Sequence, residues 1–386
     1  MARAPKVVLP PWTRSRHFVG IDENGMGPRL GPLVVTSILT EVDDAGAKLV
    51  TSRPRGGAAK RIGDSKKLVS FDDSALGEAW ARAIATRATG TSPRTPEELL
   101  RAIAIDGIDT LQEPCPSHHV GLCWNTDHET FTSDDTLVAS CTNDLDRLEA
   151  KGVRVRRSRV AIVCTKRLNE SVSRGLSRFD VDLHTMERLT LDARDEAGDE
   201  VYALCGKVGG FDFYAERFGP LAGRLHTMLV EGRARSEYLV PGVGRLAFVR
   251  DADDTHLIVG LASLVGKWAR DFLMRRVVKF HRVHDDTLTD ASGYHDPVTT
   301  RFIRASALIR KKERVEPACF ERDALGTLAK IAKIAELAKV ARNPDGAGRA
   351  TSSALPKPKK KASPSPRRPA RPRPDPRQQG LLSEEA

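Results

Sequence analysis

The chain has 386 residues, 40% of them hydrophobic and 29% charged, with a formal net charge of +11 at pH 7. These proportions suit one large or two ordinary folded domains and exclude a fibrous or wholly disordered chain. No apolar run nears the roughly 18 residues that span a bilayer, and the start lacks a secretory pattern, so a cytoplasmic protein with no membrane partner is expected.

Six cysteines spread over this length do not make a disulfide framework. Residues 1 to 15 read as a flexible N-terminus and 16 to 315 as the main domain. His17 to Ile21 is a short strand running into Asp22. Leu33 to Leu39 is a second β-branched run beyond a Gly- and Pro-rich turn, which predicts an antiparallel pair. Adjacent strand residues point to opposite faces, so Asp22 and Glu23 share one site only if the chain leaves extended geometry between them. Gly25 and Gly27 permit a sharp turn that brings backbone N–H groups close to a phosphate. A plain surface turn with two solvated carboxylates is the competing account.

Asp64-Ser65-Lys66-Lys67-Leu68 opens a loop-to-helix stretch, and Glu97 to Ala104 is helical. Residues 114 to 146 are polar and turn-rich and read as an insertion. It holds Cys115, His118, His119, Cys123 and His128, which suit zinc by type but lack a second tight pair such as Cys-x-x-Cys. Either a zinc site or ordinary thiols and imidazoles fit. Arg154 to Cys164 and Glu200 to Leu204 are strand-like. Strands and helices so intermixed predict a mixed α/β sheet with flanking helices.

Leu257 to Lys279 has helical period, with Leu261, Val265, Trp268 and Phe272 as its core stripe. Gly260, Ala262 and Gly266 allow close approach to a sheet. Ser263, Lys267 and Asp271 recur at i, i+4 and i+8 on another side. With apolar neighbours all round, that Lys and Asp need partners, or a phosphate and a metal. A C-terminal helix follows over 316 to 342, amphipathic from Asp323 to Ala341. The tail from Asn343 to Ala386 has ten Lys or Arg against four Asp or Glu, which places +6 of the +11 there. It is Pro-rich and almost devoid of apolar residues, so it is expected to be disordered, as a solubilising tail or as a nucleic-acid tether.

Four segments in order, Gly20 to Pro32, Asp64 to Leu68, Ala262 to Asp271 and Ser292 to Pro297, resemble ribonuclease HII over roughly Phe18 to Arg304. The resemblance implies a ribonuclease H-like α/β fold, a mixed five-stranded sheet flanked by helices. It implies a two-metal endonuclease that hydrolyses the RNA strand of RNA–DNA hybrids, or cuts at ribonucleotides embedded in duplex DNA, with Mg²⁺ or Mn²⁺; a monomer is the default expectation. Asp22, Glu23 and Asp271 are carried over as metal carboxylates. Ser65 and Lys66, and the stripe of Ser263 and Lys267, are carried over as substrate contacts. Gly25 and Gly27 map onto the glycines whose backbone reads the ribose 2′-OH, and Tyr294 onto the tyrosine that stacks at the junction.

Two positions depart from that pattern. Met26 stands where the family turn carries arginine. Gly206 falls where the third carboxylate belongs, with Cys205 the other register, and neither is a ligand for a hard metal. Asp212, Asp251 or Asp253 are the nearby carboxylates that could serve instead. The alternative function is a catalytically weak or inactive ribonuclease H-fold protein that binds nucleic acid.

Overall fold

The computed structural model describes residues 15–323, apart from 127 and 210. One seven-stranded mixed sheet runs β3-β2-β1-β4-β7-β6-β5. Its strands are β1 (His17–Asn24), β2 (Leu33–Val42), β3 (Val153–Val163), β4 (Val201–Gly206), β5 (Thr227–Val230), β6 (Arg235–Val240) and β7 (Gly244–Val249). The antiparallel pairing of β1 with β2 is as expected, and β1–β4 and β4–β7 are parallel. The five-stranded expectation is corrected to seven. β6 and β7 flank Pro241-Gly242, a turn signal between two apolar runs, and β5 adds an exposed edge.

Alternate residues of β1 serve opposite faces of the sheet. Toward one face the helix Leu257–Arg282 lies almost on the strand backbone. A Cβ at Gly20 would come 2.4 Å from the Ile258 carbonyl carbon, and one at Gly266 would come 2.7 Å from both Asn24 Nδ2 and Thr36 Oγ1. The predicted stripe of Leu261, Val265, Trp268 and Phe272 is buried, and the helix Ala75–Thr89 covers its outer side. On the other face the helix Arg178–Ala197 starts at a Ser177/Asp180 capping box and packs Leu183, Met186 and Leu189 with Val19 and Ile21.

The turn-rich reading of 114 to 146 is corrected as well. It carries the helices Val120–Trp124 and Asp135–Glu149, the second N-capped by Asp134. Cys141, Leu145 and Leu148 form a narrow apolar stripe that the surrounding charges conceal in the sequence. Buried Glu78 accepts from the backbone N–H groups of Thr132 and Ser133 and from the Trp268 indole, tying the segment to the core. No helix among the described residues is long and apolar enough to cross a membrane. The N-terminal stretch 1 to 14, the amphipathic helix expected beyond Asp323 and the basic tail lie outside the described residues.

Candidate active site: carboxylates at the strand ends

The parallel trio β1, β4 and β7 ends on one edge of the sheet. Continuing the Ile21–Cys205 register by one step sets Asp22 beside Gly206, which pairs with Val249. The carboxyl edge of parallel strands is where open α/β sheets gather ligands. β7 then turns through Asp251, at φ +51°, into the short helix Ala252–Thr255 that carries Asp253.

β1 stays paired through Asn24, so the expected break between Asp22 and Glu23 does not occur. The two carboxylates leave on opposite faces. Asp22, 7% exposed, shares the face of Phe18 and Gly20, and the Ser263 hydroxyl bonds it. Ser263 Oγ is also within hydrogen-bond distance of Ser65 Oγ, at 2.9 Å. Asp64 caps the helix Ser65–Leu68 by accepting from the Lys66 N–H at 3.0 Å, which fixes where Lys66 emerges. Glu23 shares the face of Val19 and Ile21, toward the 178–197 helix.

Burial, then Glu23 and Asp253, hold Asp22 well above the ordinary carboxylate range. Burial and Asp253, against the pull of Lys66, raise Glu23 to about 7. Asp253 is raised by burial and by Asp64. Lys66 is the counter-charge of the group: burial works against its ammonium, but Asp253, Glu23 and Asp22 together keep it above its usual value. Negative charge with one lysine to balance it, on hard oxygen donors, suits a divalent cation.

A fourth carboxylate was not expected from the sequence. Asp182, on the helix Arg178–Ala197, is 0% exposed, and neither of its oxygens has a hydrogen-bond partner. Burial raises it, followed by the charges of Glu23 and Asp22. Its only sequence signal is an acid at an apolar position of an amphipathic helix, between Val181 and Leu183. Gly206 does face the site: a Cβ there would lie 2.7 Å from Asp22 Oδ1. Cys205 points the other way, with Asp182 and Glu187 acting on its thiol.

Asp271 is not brought to this cluster. It is fully buried, two helical turns beyond Ser263, and pairs with Arg270 at 2.9 Å and with Lys267. Lys267 is thereby spent on Asp271. Asp212 pairs with Lys207 at 2.6 Å, and exposed Asp251 lies against Arg250; of the nearby acids the sequence offered, Asp253 is the one that arrives.

The turn after β1 has Gly25 at φ +96°, where a Cβ would come 2.9 Å from the Pro32 carbonyl oxygen. Gly27 has open space around it. Met26 packs against the apolar core instead of offering a cation. Two guanidinium groups from elsewhere reach the turn: Arg322 donates to the carbonyls of Gly25 and Met26, and Arg178 Nη1 to that of Met26 at 3.5 Å. The 293 loop docks on this turn through Arg29 N–H to Gly293 O at 2.7 Å. It presents Tyr294, 38% exposed, with its ring 4.7 Å from the buried Arg270 guanidinium.

A cleft of about 1330 Å³ opens at the opposite strand ends, between Arg16, Lys48, Tyr202 and Arg245. Its Arg245 is already paired with Glu237, and of its acids Asp43 caps the helix Asp44–Val50 while Glu41 and Glu149 pair with Arg156 and Arg154. Among the described residues, the group of three metal-type side chains whose ligand atoms all lie within 4.8 Å is elsewhere, at His119, Glu316 and Cys319. The strand-end carboxylates are spread wider than that.

No family profile and no curated protein matches the chain. Among solved structures it is similar to a chain of the PCNA:RNase HII complex from Archaeoglobus fulgidus, 18% identical with a TM-score of 0.35, over 78% of this chain and 92% of that one. It is similar to ribonuclease H2 from Pyrococcus horikoshii OT3, 16% identical with a TM-score of 0.36, over 84% and 99%. Bst-RNase HIII in complex with Mn²⁺ is 11% identical with a TM-score of 0.37, over 87% of this chain and 77% of that one.

Proposed function

We propose that the protein is a divalent-metal endonuclease acting on RNA–DNA hybrids or on ribonucleotides embedded in duplex DNA. The observation that carries the reading is the meeting of Asp22, Glu23 and Asp253 with Lys66 and Ser65, from three distant segments, at the carboxyl edge of the parallel strands. The motif resemblance to ribonuclease HII supports the substrate class.

Asp22, Glu23 and Asp253 would hold Mg²⁺ or Mn²⁺, with Asp182 as the buried fourth carboxylate in place of Gly206. A bound metal pair supplies an activated water and neutralises charge on the leaving oxygen. The chain's own groups do the positioning. Lys66 would meet a substrate phosphate, with the buried Ser65 hydroxyl held against Ser263 behind it. The Gly25 turn offers backbone N–H groups to a 2′-OH, and the exposed Tyr294 ring offers a stacking surface at the junction. Arg178 and Arg322 replace, from outside the turn, the arginine that Met26 displaces.

The test is incision of a duplex carrying one ribonucleotide, with Mn²⁺ or Mg²⁺, against an all-DNA duplex. Cleavage of the first alone, abolished by Asp22→Asn, supports the reading. Salt-sensitive binding of the hybrid with no metal-dependent incision would instead make the protein a binder, the consequence expected if Asp182 fails to replace the carboxylate missing at Gly206.

A further inference from the structure

Away from the strand ends, four of the six cysteines converge. Cys115 follows the helix Ile108–Gln112, Cys123 lies in the helix Val120–Trp124, Cys164 is the N-cap of the helix Thr165–Ser173, and Cys319 lies in the helix Pro317–Phe320. All are unbridged; Cys115 and Cys123 border one apolar cluster and Cys123 and Cys319 the next, and burial and the neighbouring thiols raise Cys123 and Cys319. His119, 4% exposed, lies beside Cys319; its Nδ1 accepts from the Glu316 N–H at 3.4 Å and its Nε2 has no hydrogen-bond partner. Its ligand atom lies within 4.8 Å of those of Cys319 and Glu316. Lys166 holds Glu316 at 3.0 Å, so that carboxylate already has a cation.

We propose that His119 and Cys319, with thiols drawn from Cys115, Cys123 and Cys164, bind one Zn²⁺ ion. Thiolate and imidazole are the donors zinc prefers for a closed, four-ligand structural site, and a buried imidazole nitrogen lacking any partner is costly unless a ligand meets it. His119 stands at the N-cap of the helix Val120–Trp124, which carries Cys123 one turn on, and Cys115 precedes it across the extended Pro116. Zinc there staples three remote parts of the chain: the 114–124 stretch, the end of β3 and the segment before residue 320. This site is independent of the proposed nuclease chemistry and uses soft donors where the strand ends use hard ones.

The test uses full-length protein, reduced and stripped of metal, titrated with Co²⁺ and then with Zn²⁺. Expected are one equivalent bound, a thiolate-to-cobalt charge-transfer band that Zn²⁺ displaces and excess Mg²⁺ does not, and a higher melting temperature with zinc. The band should be lost in a Cys123→Ser, Cys319→Ser double variant and kept in Cys141→Ser, which alters a cysteine buried elsewhere. Should the double variant fail to fold, Zn²⁺ should slow alkylation of Cys115, Cys123, Cys164 and Cys319 in the wild type at least tenfold. Absence of the charge-transfer band from the wild type, its survival in the double variant, or alkylation indifferent to Zn²⁺ overturns the proposal.

Discussion

Replacing Glu23 by Gln should stabilise the metal-free protein, and only at neutral pH or above. In the folded chain Glu23 titrates at about 7 in place of 4.5, chiefly because it is buried and faces Asp253. A folded-state value above the unfolded one means protonation favours the fold: the stabilisation is complete below about 4.5 and is lost as pH rises through 7. A rise of that size corresponds to about 3 kcal/mol, an upper figure because the side chain keeps some contact with water. In a domain of this size that is roughly 5 °C in melting temperature. Urea unfolding followed by tryptophan fluorescence, with buried Trp80 and Trp268 as reporters, measures it in chelator at pH 5 and pH 8. Wild type and Glu23→Gln should nearly coincide at pH 5, and the variant should lead at pH 8. Saturating Mn²⁺ should reverse the order, since wild type alone keeps the ligand. A gap of equal size at both pH values, or a variant less stable at pH 8, refutes the electrostatic account of the cluster.

Gly206→Asp restores a carboxylate beside Asp22, at the cost of a few tenths of an ångström of movement in the Asp22 side chain. Its melting temperature should fall below that of Gly206→Ala in chelator and gain more from Mn²⁺; equal metal responses would remove position 206 from the site. Asp253→Asn should weaken Mn²⁺ binding by calorimetry at least tenfold. Asp271→Asn should leave Mn²⁺ affinity unchanged yet cost about 3 kcal/mol in urea unfolding, because Arg270 and Lys267 lose their buried partner. Gly266→Ala should destabilise by about 2 kcal/mol, since its Cβ would meet Asn24 and Thr36 at 2.7 Å, and hydrogen exchange in β1 should accelerate. Unchanged exchange would mean the helix gives way more easily than this contact implies.

Local patterns sufficed for much of this molecule. The β1–β2 pair, the long 257–282 helix with its buried stripe, and the grouping of Asp22, Glu23, Ser65, Lys66 and Ser263 follow from residue period, small residues and motif order. Those signals are local or motif-bound and survive in one dimension. What the sequence could not supply depends on which segments meet. Asp271 shares a helix face with Ser263, but eight residues of helical rise, about 12 Å, carry it away from Asp22. Asp253 arrives because β7 ends level with β4 and turns at once. Asp182 comes from a helix on the opposite face, where its sequence neighbours say only that it is buried. The parity of β1 decided the rest: a strand that stays paired through Asn24 sends Asp22 and Glu23 to different faces, so the acidic cluster is assembled around the sheet edge by both flanking layers.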